Sequence, residues 1–579
     1  MSSSNVAPSG LERGKLISLE VKNFRCIGEP GIILELDDIV VLVGPNNSGK
    51  SSLLRAYELA MSDGSNAGKV KIEDFPNSNP SSPIEIILTT EIIFGEPGKD
   101  WIGDKAGQKW INGRKFVRER WLWTQPGKGT RYGWNVATQQ WSDKKPWGFA
   151  AVANTRRPAA HPVRAFDAPE TQAKQIHELL RTVILSSAKE LKNDDGENIY
   201  NKLLKDIEDF QKKALEGAVD GVKVVEAGLN AIVSAIFSDH CVEYNQSSAA
   251  SEASLTLFHD SGKLIMGHKD GHRTELEHQG SGARRTMLWA TLKYICESRT
   301  SNDKSNVLLI DEPELCLHPS AIRDACRVLY DLASKDGWQV MLTTHSPVFI
   351  DLNRDNTTVV RVDRNSSGSI QGTTLFRPER VSLGQDDKEN LKLLTLYDPY
   401  VAEFFFGGRI VVVEGDTEYA AFRLVSEHYP QFSDVHIIRA RGKAVIVSLA
   451  KILNQFSSRY AILHDTDTKK AIRKGKNGNP DQEITNSAWT CNQRILSTVS
   501  NNISLGKVRL LASKINFERA FFDTSLSGEK PYSAVFSMKN DKDKMEKIKQ
   551  LLESLLDDAA PIPDGCIAWT SMSDLEDLN

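Results

Sequence analysis

The sequence predicts an α/β protein with two parallel sheets, one in each half of the chain. In the first half, the apolar run 39–43 opens into the glycine-rich stretch 44–52. In the second half, the apolar runs 410–413 and 460–463 are each followed closely by acidic residues. Buried parallel strands read as near-continuous apolar runs, and functional residues collect at their carboxyl ends. These patterns therefore predict one functional site in each half.

Length and composition indicate an ordinary soluble protein of two or three domains. The chain has 579 residues, more than a single hydrophobic core organises. Its hydrophobic content is 40% and its charged content is 26%, as in typical globular proteins. The formal net charge of -4 excludes a uniformly basic nucleic-acid coat protein, so any DNA-binding surface must be confined to one region.

The cysteines and the N-terminus bear on the cellular compartment. No two of the seven cysteines form a C-x-x-C pair, which argues against a structural zinc site and against a disulfide framework. The first ten residues are polar, and no apolar stretch is long enough to cross a bilayer. We therefore expect a cytoplasmic protein that is neither secreted nor membrane-spanning.

The first half of the chain begins with strands and continues with two unusual segments. Short strands are predicted at 16–27, 31–36 and 39–44, separated by turn residues. Residues 85–150 alternate strands with glycine turns and hold seven of the eleven tryptophans. Clustered tryptophans could stack nucleic-acid bases, but packing of a small β-meander is the more common use. Residues 169–237 have helical periodicity, and we expect a helical insertion that serves dimerisation.

The stretch 44–52 fits a phosphate-binding loop. The pattern G-x-x-x-x-G-K-[ST] begins at Gly44 and ends with Lys50 and Ser51, between a strand and a helical run. In such a loop the backbone N–H groups hold the phosphates, the lysine neutralises their outer oxygens, and the hydroxyl binds Mg²⁺. We therefore predict ATP and Mg²⁺ (or Mn²⁺) as cofactors. The predicted ATP contacts in the loop are Gly44, Asn46, Asn47, Ser48, Gly49, Lys50, Ser51 and Ser52.

Two later segments supply the catalytic groups that an ATPase needs. A buried strand ends in Asp311 and Glu312, which we predict to hold the metal and to polarise the attacking water, respectively. Some thirty residues later His345 follows another apolar strand, and we predict it to sense the γ-phosphate. A lone histidine after a strand is more often a surface residue, but its spacing from Asp311 favours the catalytic role.

A further segment resembles the signature loop of ABC-type ATPases. The turn 279–282 opens a helical run, with Ser281 and Gly282 at its start. A plain helix cap would use the same residues, but the nearby stretch 314–319 is similar to the D-loop of that class. The resemblance implies a head-to-tail pair of ATPase heads with two nucleotides between them. Arg284 stands where a glutamine is common, and the sequence does not place a Q-loop, so slow or gated hydrolysis is expected.

The second half of the chain carries a separate set of acidic residues. A buried strand delivers Glu414 into a glycine turn, and Glu418 follows one helical turn later. A later strand ends at Asp465 and Asp467. Helix capping would explain the aspartates alone, but carboxylates at the ends of parallel strands converge on one crevice. A crevice of this kind suits Mg²⁺ or Mn²⁺ and the hydrolysis of a phosphodiester.

The motifs E-G-x-x-E and D-x-D, one βαβ unit apart, resemble the Toprim domain of topoisomerases, primases and some nucleases. With an ATPase head before this domain and the aromatic run 404–406 at the junction, the whole chain resembles the OLD (overcoming lysogenization defect) family of ATP-dependent endonucleases, which includes the nuclease subunit of Gabija anti-phage systems. The resemblance implies DNA cleavage that ATP controls. The metal ligands that it implies are Glu414, Glu418, Asp465 and Asp467.

The resemblance suggests further positions. Glu518, after an apolar strand, resembles an additional acidic position. A late lysine that steadies the scissile phosphate is expected, and Lys530 is preferred to Lys539. The basic loop 469–476 could follow a DNA backbone, although a solvated loop explains its composition equally well.

The predicted organisation has four segments. They are the first part of the ATPase head with a β-rich subdomain at 1–168, a helical insertion at 169–240, the second part of the head at 241–395, and a Toprim domain at 396–579. The predicted partners are DNA, further copies of the chain in a homodimer or larger oligomer, and a defence-system partner, either a helicase-like protein or a retron reverse transcriptase with its RNA–DNA.

Two alternative functions remain. A non-catalytic, ATP-switched DNA-binding scaffold is disfavoured because a scaffold has no chemical need for four carboxylates. A primase or topoisomerase has less support, because no zinc ribbon is present and no tyrosine is identifiable as a nucleophile.

Overall fold

The computed structural model describes most of the chain. The described residues are 14–92, 96–164, 167–173, 175–176, 223–235, 240–246, 262–297, 305–334, 337–351, 354, 357–365, 368–377, 383–398, 401–455, 459–473, 482–522 and 529–576. Within the predicted helical insertion, the described helical residues are 169–173, 175–176 and 223–235. The rest of that insertion, and with it the proposed dimerisation arm, lies outside the described residues.

The chain divides into two compact units. The first unit comprises Met1–Val40, Asn47–Thr344 and Arg364–Gln371, and the second comprises Val41–Asn46, His345–Asp363 and Gly372–Asn579. The boundary passes through the glycine-rich loop, so residues of this loop are distributed over both units.

Fifteen strands and four helices precede residue 345 in the described part of the chain. The strands are β1 (Leu16–Lys22), β2 (Ile32–Glu35), β3 (Ile39–Val43), β4 (Lys69–Val70), β5 (Ile84–Ile92), β6 (Lys115–Trp123), β7 (Gly127–Lys128), β8 (Thr130–Asn135), β9 (Gln140–Ser142), β10 (Ala159–Val163), β11 (His240–Gln246), β12 (Gly262–His268), β13 (Arg273–Glu275), β14 (Asn306–Asp311) and β15 (Trp338–Thr343). The helices are α1 (Lys50–Met61), α2 (Ala150–Arg156), α3 (Ser281–Glu297) and α4 (Pro319–Ala333).

The elements after residue 345 continue this numbering. The strands are β16 (Thr357–Arg364), β17 (Ile370–Phe376), β18 (Arg409–Val413), β19 (Val435–Arg439), β20 (Tyr460–Asp465), β21 (Lys470–Arg473), β22 (Gln482–Thr485), β23 (Val508–Ser513) and β24 (Cys566–Ala568). The helices are α5 (Gln385–Tyr397), α6 (Asp416–His428), α7 (Lys443–Leu453), α8 (Ser487–Ser504), α9 (Phe517–Phe521), α10 (Lys530–Asn540), α11 (Lys542–Leu556) and α12 (Met572–Glu576).

The first unit contains an antiparallel sheet and a set of parallel strands. The antiparallel sheet has the order β2-β1-β5-β6-β8-β9. Strands β10, β14 and β15 are parallel neighbours, with Val163 opposite Ile310 and Asp311 opposite Thr343. The carboxyl ends of these three strands therefore lie at one edge, where the predicted catalytic carboxylates begin.

Tryptophans of the segment 85–150 pack the antiparallel sheet. Trp121 and Trp123 on β6 are 1% and 2% exposed. Trp134 on β8 meets Trp141 on β9 edge to face, with 5.2 Å between the ring centroids. These four side chains therefore stabilise the meander, which is the more common of the two uses predicted for them.

The second unit is built on a five-stranded sheet of order β19-β18-β20-β23-β24. The first four strands are parallel, and β24 is antiparallel to β23. Val413 lies opposite Leu463, so the ends of β18 and β20 are side by side. Apolar residues of the strands pack against α6, α9, α10 and α11 in one core. The predicted parallel α/β sheet is confirmed, and its topology brings two acidic motifs to one edge.

Two local predictions were wrong. The stretch 351–407, expected to be a link, contains β16, β17 and α5; the Asn and Ser turns that suggested a link separate regular elements. The segment 469–476 was expected to be a loop, but Lys470 and Arg473 lie in β21, which pairs antiparallel with β22. The backbone hydrogen bonds to β22 order this segment despite its charge. Lys474 and Lys476 lie outside the described residues.

The membrane prediction has a structural counterpart. In the described ranges of the chain, no helix is both long enough and apolar enough to cross a bilayer.

Candidate functional site

Helix α1 begins inside the glycine-rich loop of the first unit. Gly49 caps it with φ +98°, a left-handed conformation that favours glycine. A Cβ atom at Gly49 would lie 3.1 Å from Cys26 Sγ, so the backbone and the available space both favour glycine. Lys50 and Ser51 are consequently the first two residues of α1, where helix N–H groups lack intrahelical partners and attract anions.

The side chains of this loop fit a phosphate ligand with a hard cation. Ser51 Oγ donates a hydrogen bond to Asp311 Oδ1 at 2.9 Å, which pairs the two groups predicted to serve Mg²⁺. Lys50 is buried, as is Ser48, whose hydroxyl has no hydrogen-bond partner among the described residues. Asn47 is exposed with φ +58°. The arrangement fits ATP and Mg²⁺ because it offers a cation, a hydroxyl and a carboxylate within one loop.

The carboxylates after β14 surround Lys50 electrostatically. Burial lowers the pKa of Lys50, and Glu312, Asp311 and Glu314 oppose that shift. Asp311 also accepts a hydrogen bond from Thr343 Oγ1 at the end of β15. Glu312 has φ +47°, and its N–H donates to the Thr343 carbonyl at 3.1 Å. The register of β14 and β15 thus fixes the backbone that presents both predicted catalytic carboxylates.

A cleft of about 520 Å³ opens beside Ser51 and Asp311. Arg164 lines it, one residue beyond the end of β10 and therefore next to Asp311 in the parallel register. The Arg164 guanidinium donates to both carboxylate oxygens of Glu58 on α1, at 2.8 and 2.7 Å. Sequence analysis missed Arg164 because no motif surrounds it. The pairing of β10 with β14 is what reveals its place.

Two loop residues and the signature turn have separate surroundings. Ser52 is buried on α1, 4.0 Å from the Cys26 thiol. Ser281 is exposed at the start of α3, as a signature serine requires. A Cβ atom at Gly282 would lie 3.2 Å from the carbonyl oxygen of Cys316, so this turn packs against the segment that resembles a D-loop.

The remaining predicted ATP-site residues belong to the second unit. Gly44 has φ +136°, and a Cβ atom there would lie 2.1 Å from the Val362 carbonyl oxygen, so only glycine fits. Asn46 and His345 are assigned to the same unit. The phosphate contacts of these residues stay predictions.

The sheet of the second unit brings Glu414 and Asp465 into direct contact. Glu414 follows β18, Asp465 ends β20, and the Asp465 N–H donates to Glu414 Oε2 at 3.0 Å. The Asp465 carboxylate accepts a hydrogen bond from the Phe517 N–H at the start of α9, at 2.8 Å. Parallel pairing of β18 with β20 therefore produces the acidic crevice that the sequence predicted.

Glu418 and Glu518 extend this crevice from two helices. Glu418, on α6, is 3% exposed. A Cβ atom at Gly415 would lie 2.8 Å from Glu418 Oε2, which explains the glycine between the two acidic positions. Glu518, on α9, accepts a hydrogen bond from Thr417 Oγ1 at 2.9 Å. Lys530 Nζ lies 3.4 Å from Glu518 Oε1.

The carboxylates of the crevice make one another harder to ionise. Burial raises the pKa of Glu414, and it raises the pKa of Glu418 to about 7 with added repulsion from Glu414 and Glu518. Burial and the same acidic neighbours raise the pKa of Asp465 well above its ordinary value. No three of these carboxylates and Asp467 place ligand oxygens within 4.8 Å of one another. Acidic groups that repel each other in a buried place fit divalent cations.

Two lysines decide the charge of this crevice. Lys530 starts α10 and contacts Glu518, whereas Lys539 is exposed near the other end of α10, so the geometry favours Lys530 for the late lysine. Lys443, the first residue of α7, forms an ion pair with Asp467 and is 3% exposed. Sequence analysis missed Lys443. Its signal was a Gly-Lys pair after the strand that became β19.

Comparison with known proteins identifies the families of both regions. A family model described as AAA ATPase domain matches residues 15–120 and 137–350, more than half of the chain. A second family model, described as overcoming lysogenization defect protein-like TOPRIM domain, matches residues 405–467.

Three relatives align with most of the chain. The Old nuclease of Escherichia phage P2 is 25% identical over 470 residues, which are 78% of this chain and 77% of the relative. The OLD nuclease of Thermus scotoductus is 25% identical over 470 residues, with coverage of 78% and 81%. Endonuclease GajA of Bacillus cereus is 22% identical over 488 residues, with coverage of 80% and 76%. The chain therefore belongs to the AAA ATPase domain family, and it joins this ATPase to a TOPRIM domain of the overcoming-lysogenization-defect type, as the sequence predicted.

Proposed function

We propose that this protein is a DNA endonuclease that depends on a divalent metal ion and that ATP regulates. The observation that carries the proposal is the acidic crevice of the second unit. There Glu414 and Asp465 are in hydrogen-bond contact, and burial together with neighbouring acids raises the pKa of Glu418 to about 7. Mutual repulsion of this kind is a cost that a metal site offsets when it binds its ions.

The residues of the crevice have distinct parts in phosphodiester hydrolysis. Glu414, Glu418 and Asp465 offer carboxylate oxygens to Mg²⁺ or Mn²⁺, which when bound activate a water molecule and stabilise the leaving oxygen. Lys530 is 55% exposed beside Glu518, so its ammonium can reach a phosphate outside the crevice. The names of the three relatives, two OLD nucleases and an endonuclease, support this chemistry.

The first unit supplies the proposed regulation. Lys50, Ser51 and Asp311 form the phosphate and Mg²⁺ contacts, and Glu312 orients the attacking water. Arg164, held by Glu58 beside Asp311, adds a cation that can contact the nucleotide phosphates. We propose that occupation of this site by ATP controls DNA cleavage in the second unit.

The cellular setting belongs to the same proposal. The resemblance to the OLD family supports a homo-oligomer that acts on DNA in anti-phage defence, alone or with a partner protein. The rival function is an ATP-switched scaffold that binds DNA without cutting it, and it requires that the crevice residues be dispensable.

The experiment is cleavage of supercoiled plasmid with Mg²⁺ or Mn²⁺ across an ATP titration. Wild type is compared with Lys50→Ala, Glu414→Ala and the surface variant Arg327→Met, whose guanidinium is largely exposed on α4. We expect Glu414→Ala to abolish cleavage, Lys50→Ala to alter only its dependence on ATP, and Arg327→Met to match wild type. Intact plasmid with every protein, under all nucleotide conditions, would favour the scaffold.

A further inference from the structure

The acidic crevice contains a buried cation that none of its motifs predicts. The Lys443 side chain is 3% exposed at the start of α7. Its ammonium contacts Asp467 Oδ2 and donates a hydrogen bond to the Ala488 carbonyl oxygen at 3.1 Å. A buried ammonium requires compensation by acceptors or opposite charge. Lys443 receives both, and one of its partners is a residue of the D-x-D motif.

The other basic groups near the crevice do not replace Lys443. The Trp569 indole N–H donates to His464 Nε2 at 3.1 Å, so the proton of His464 is on Nδ1, which contacts the Asp465 carbonyl oxygen at 2.8 Å. His464 is therefore neutral, as burial and Lys443 also dictate by lowering its pKa to about 3. Lys530 is half-exposed and contacts Glu518. Among the described residues, Lys443 is thus the buried positive charge in contact with a crevice carboxylate.

Asp467 depends on Lys443 for its orientation. Its backbone has φ +60°, and its N–H donates to the Ile515 carbonyl oxygen at 3.0 Å. This backbone is in place through the loop that follows β23, but the carboxylate itself is held by Lys443. Without the ammonium, the side chain would turn away from the other acids or leave an uncompensated charge beside them.

We propose that Lys443 is a positioning residue of the nuclease site, whose ammonium fixes the Asp467 carboxylate and balances the acidic crevice before a divalent ion binds. This proposal rests on the proposed function for its effect on cleavage. The effect on charge and on metal binding does not depend on catalysis. Loss of Lys443 should strengthen metal binding, because one positive charge is removed, and weaken cleavage, because Asp467 loses its orientation.

The test compares full-length Lys443→Met with Lys443→Arg and Lys451→Met. Lys451 is the matched control, since it lies on the same helix and pairs with Asp387 at 2.6 Å, outside the crevice. Mn²⁺ binding is measured by calorimetry without DNA, and the melting temperature is measured in EDTA and in Mn²⁺. Plasmid cleavage is measured separately.

We expect Lys443→Met to melt lower than wild type in EDTA, to bind Mn²⁺ with a lower Kd, and to gain more melting temperature from Mn²⁺. Its cleavage should fall by about tenfold or more, as for supporting residues of metal sites. Lys443→Arg should recover part of the cleavage. Lys451→Met should keep the Mn²⁺ affinity and cleavage of wild type.

An unchanged Mn²⁺ affinity in Lys443→Met would overturn the proposal, whether or not the wild type cuts DNA. If Lys443→Met does not fold, the double variant Lys443→Met/Asp467→Asn decides, because it also removes the carboxylate left without a counter-charge. The double variant should fold and should melt close to wild type in EDTA. Failure of the double variant to recover stability would contradict a charge-balancing role.

Discussion

At the scale of single residues, the crevice owes its character to carboxylates that folding forces together. Glu414, Glu418 and Asp465 are separated in the sequence, but each raises the pKa of another once they are buried side by side. The ATP site works in the opposite sense, because Lys50 is buried and three carboxylates hold its charge. Each site is therefore incomplete in charge until its ligand binds.

The pKa of Glu418 predicts how stability depends on pH in the absence of metal. Its folded pKa of about 7 is above the ordinary value of 4.5, so the folded state binds this proton more tightly than the unfolded state. The destabilisation by Glu418 is absent below about pH 4.5 and complete above about pH 7. In EDTA, lowering the pH from 7.5 to 5.5 should raise the melting temperature more in wild type than in Glu418→Gln. Equal shifts in the two proteins would show that Glu418 ionises normally.

A substitution of Arg164 tests the place of this residue in the nucleotide cleft. Arg164→Met removes the guanidinium that lies between Glu58 and the end of β14. We expect ATP hydrolysis to fall by about tenfold or more, because loss of a charge-assisted contact to a transferring phosphate costs at least that much. The measurement is steady-state hydrolysis, with binding of a fluorescent ATP analogue measured separately. Arg327→Met is the control, and wild-type hydrolysis in Arg164→Met would assign Arg164 to structure alone.

At the scale of elements, both sites are built where parallel strands end. Asp311 and Arg164 follow from the register of β14 with β10, and Glu414 and Asp465 follow from the register of β18 with β20. Short turns then pass the chain into helices whose first residues complete the sites. Gly49 before α1 and Gly415 before α6 serve this purpose, the first through its positive φ and the second through lack of space.

The turn between β18 and α6 makes a specific prediction. In Gly415→Ala the new methyl group would lie 2.8 Å from Glu418 Oε2, so the carboxylate must move. Gly415 has φ -125°, which any residue adopts, so the backbone cost is small. We expect cleavage and Mn²⁺ affinity to fall while the melting temperature in EDTA stays near that of wild type. Gly28→Ala, where a Cβ atom meets nothing within 4 Å, is the control.

At the scale of the whole molecule, a chain of formal charge -4 must bind DNA through a confined basic surface. The segment with Lys469 and Lys470 directly follows Asp467 and continues into β21, so it lies next to the crevice in the chain. Both lysines have exposed side chains with acidic partners. They are the basic groups of the predicted segment whose side chains lie within the described residues.

These two lysines provide the prediction at this scale. Lys469→Glu/Lys470→Glu should raise the KM for plasmid and should make cleavage less sensitive to added salt, because fewer counterions are released on binding. ATP hydrolysis should not change. Lys507→Glu is the control, since Lys507 precedes β23 at the amino end of the sheet, opposite the crevice. An unchanged KM in the double variant would assign β21 and β22 to a role other than DNA binding.

The sequence by itself determined the fold class, the phosphate-binding loop and the acidic motifs. Lys50, Asp311, Glu414 and Asp465 could be predicted because they follow apolar strands at fixed offsets, and a strand with its terminal residue is a local pattern. Glu518 and Lys530 needed the resemblance to a family, since their neighbours in the sequence say little about chemistry.

Only the tertiary structure decided which groups pair. Arg164 reaches Asp311, and Lys443 reaches Asp467, because parallel strands distant in the sequence end at one edge of a sheet. The raised pKa values of Glu414 and Asp465 arise for the same reason, since burial and repulsion depend on distances between elements. Local patterns specify strands, turns and helix starts. The charge balance of a site is a sum over neighbours in space, and it exists only after folding.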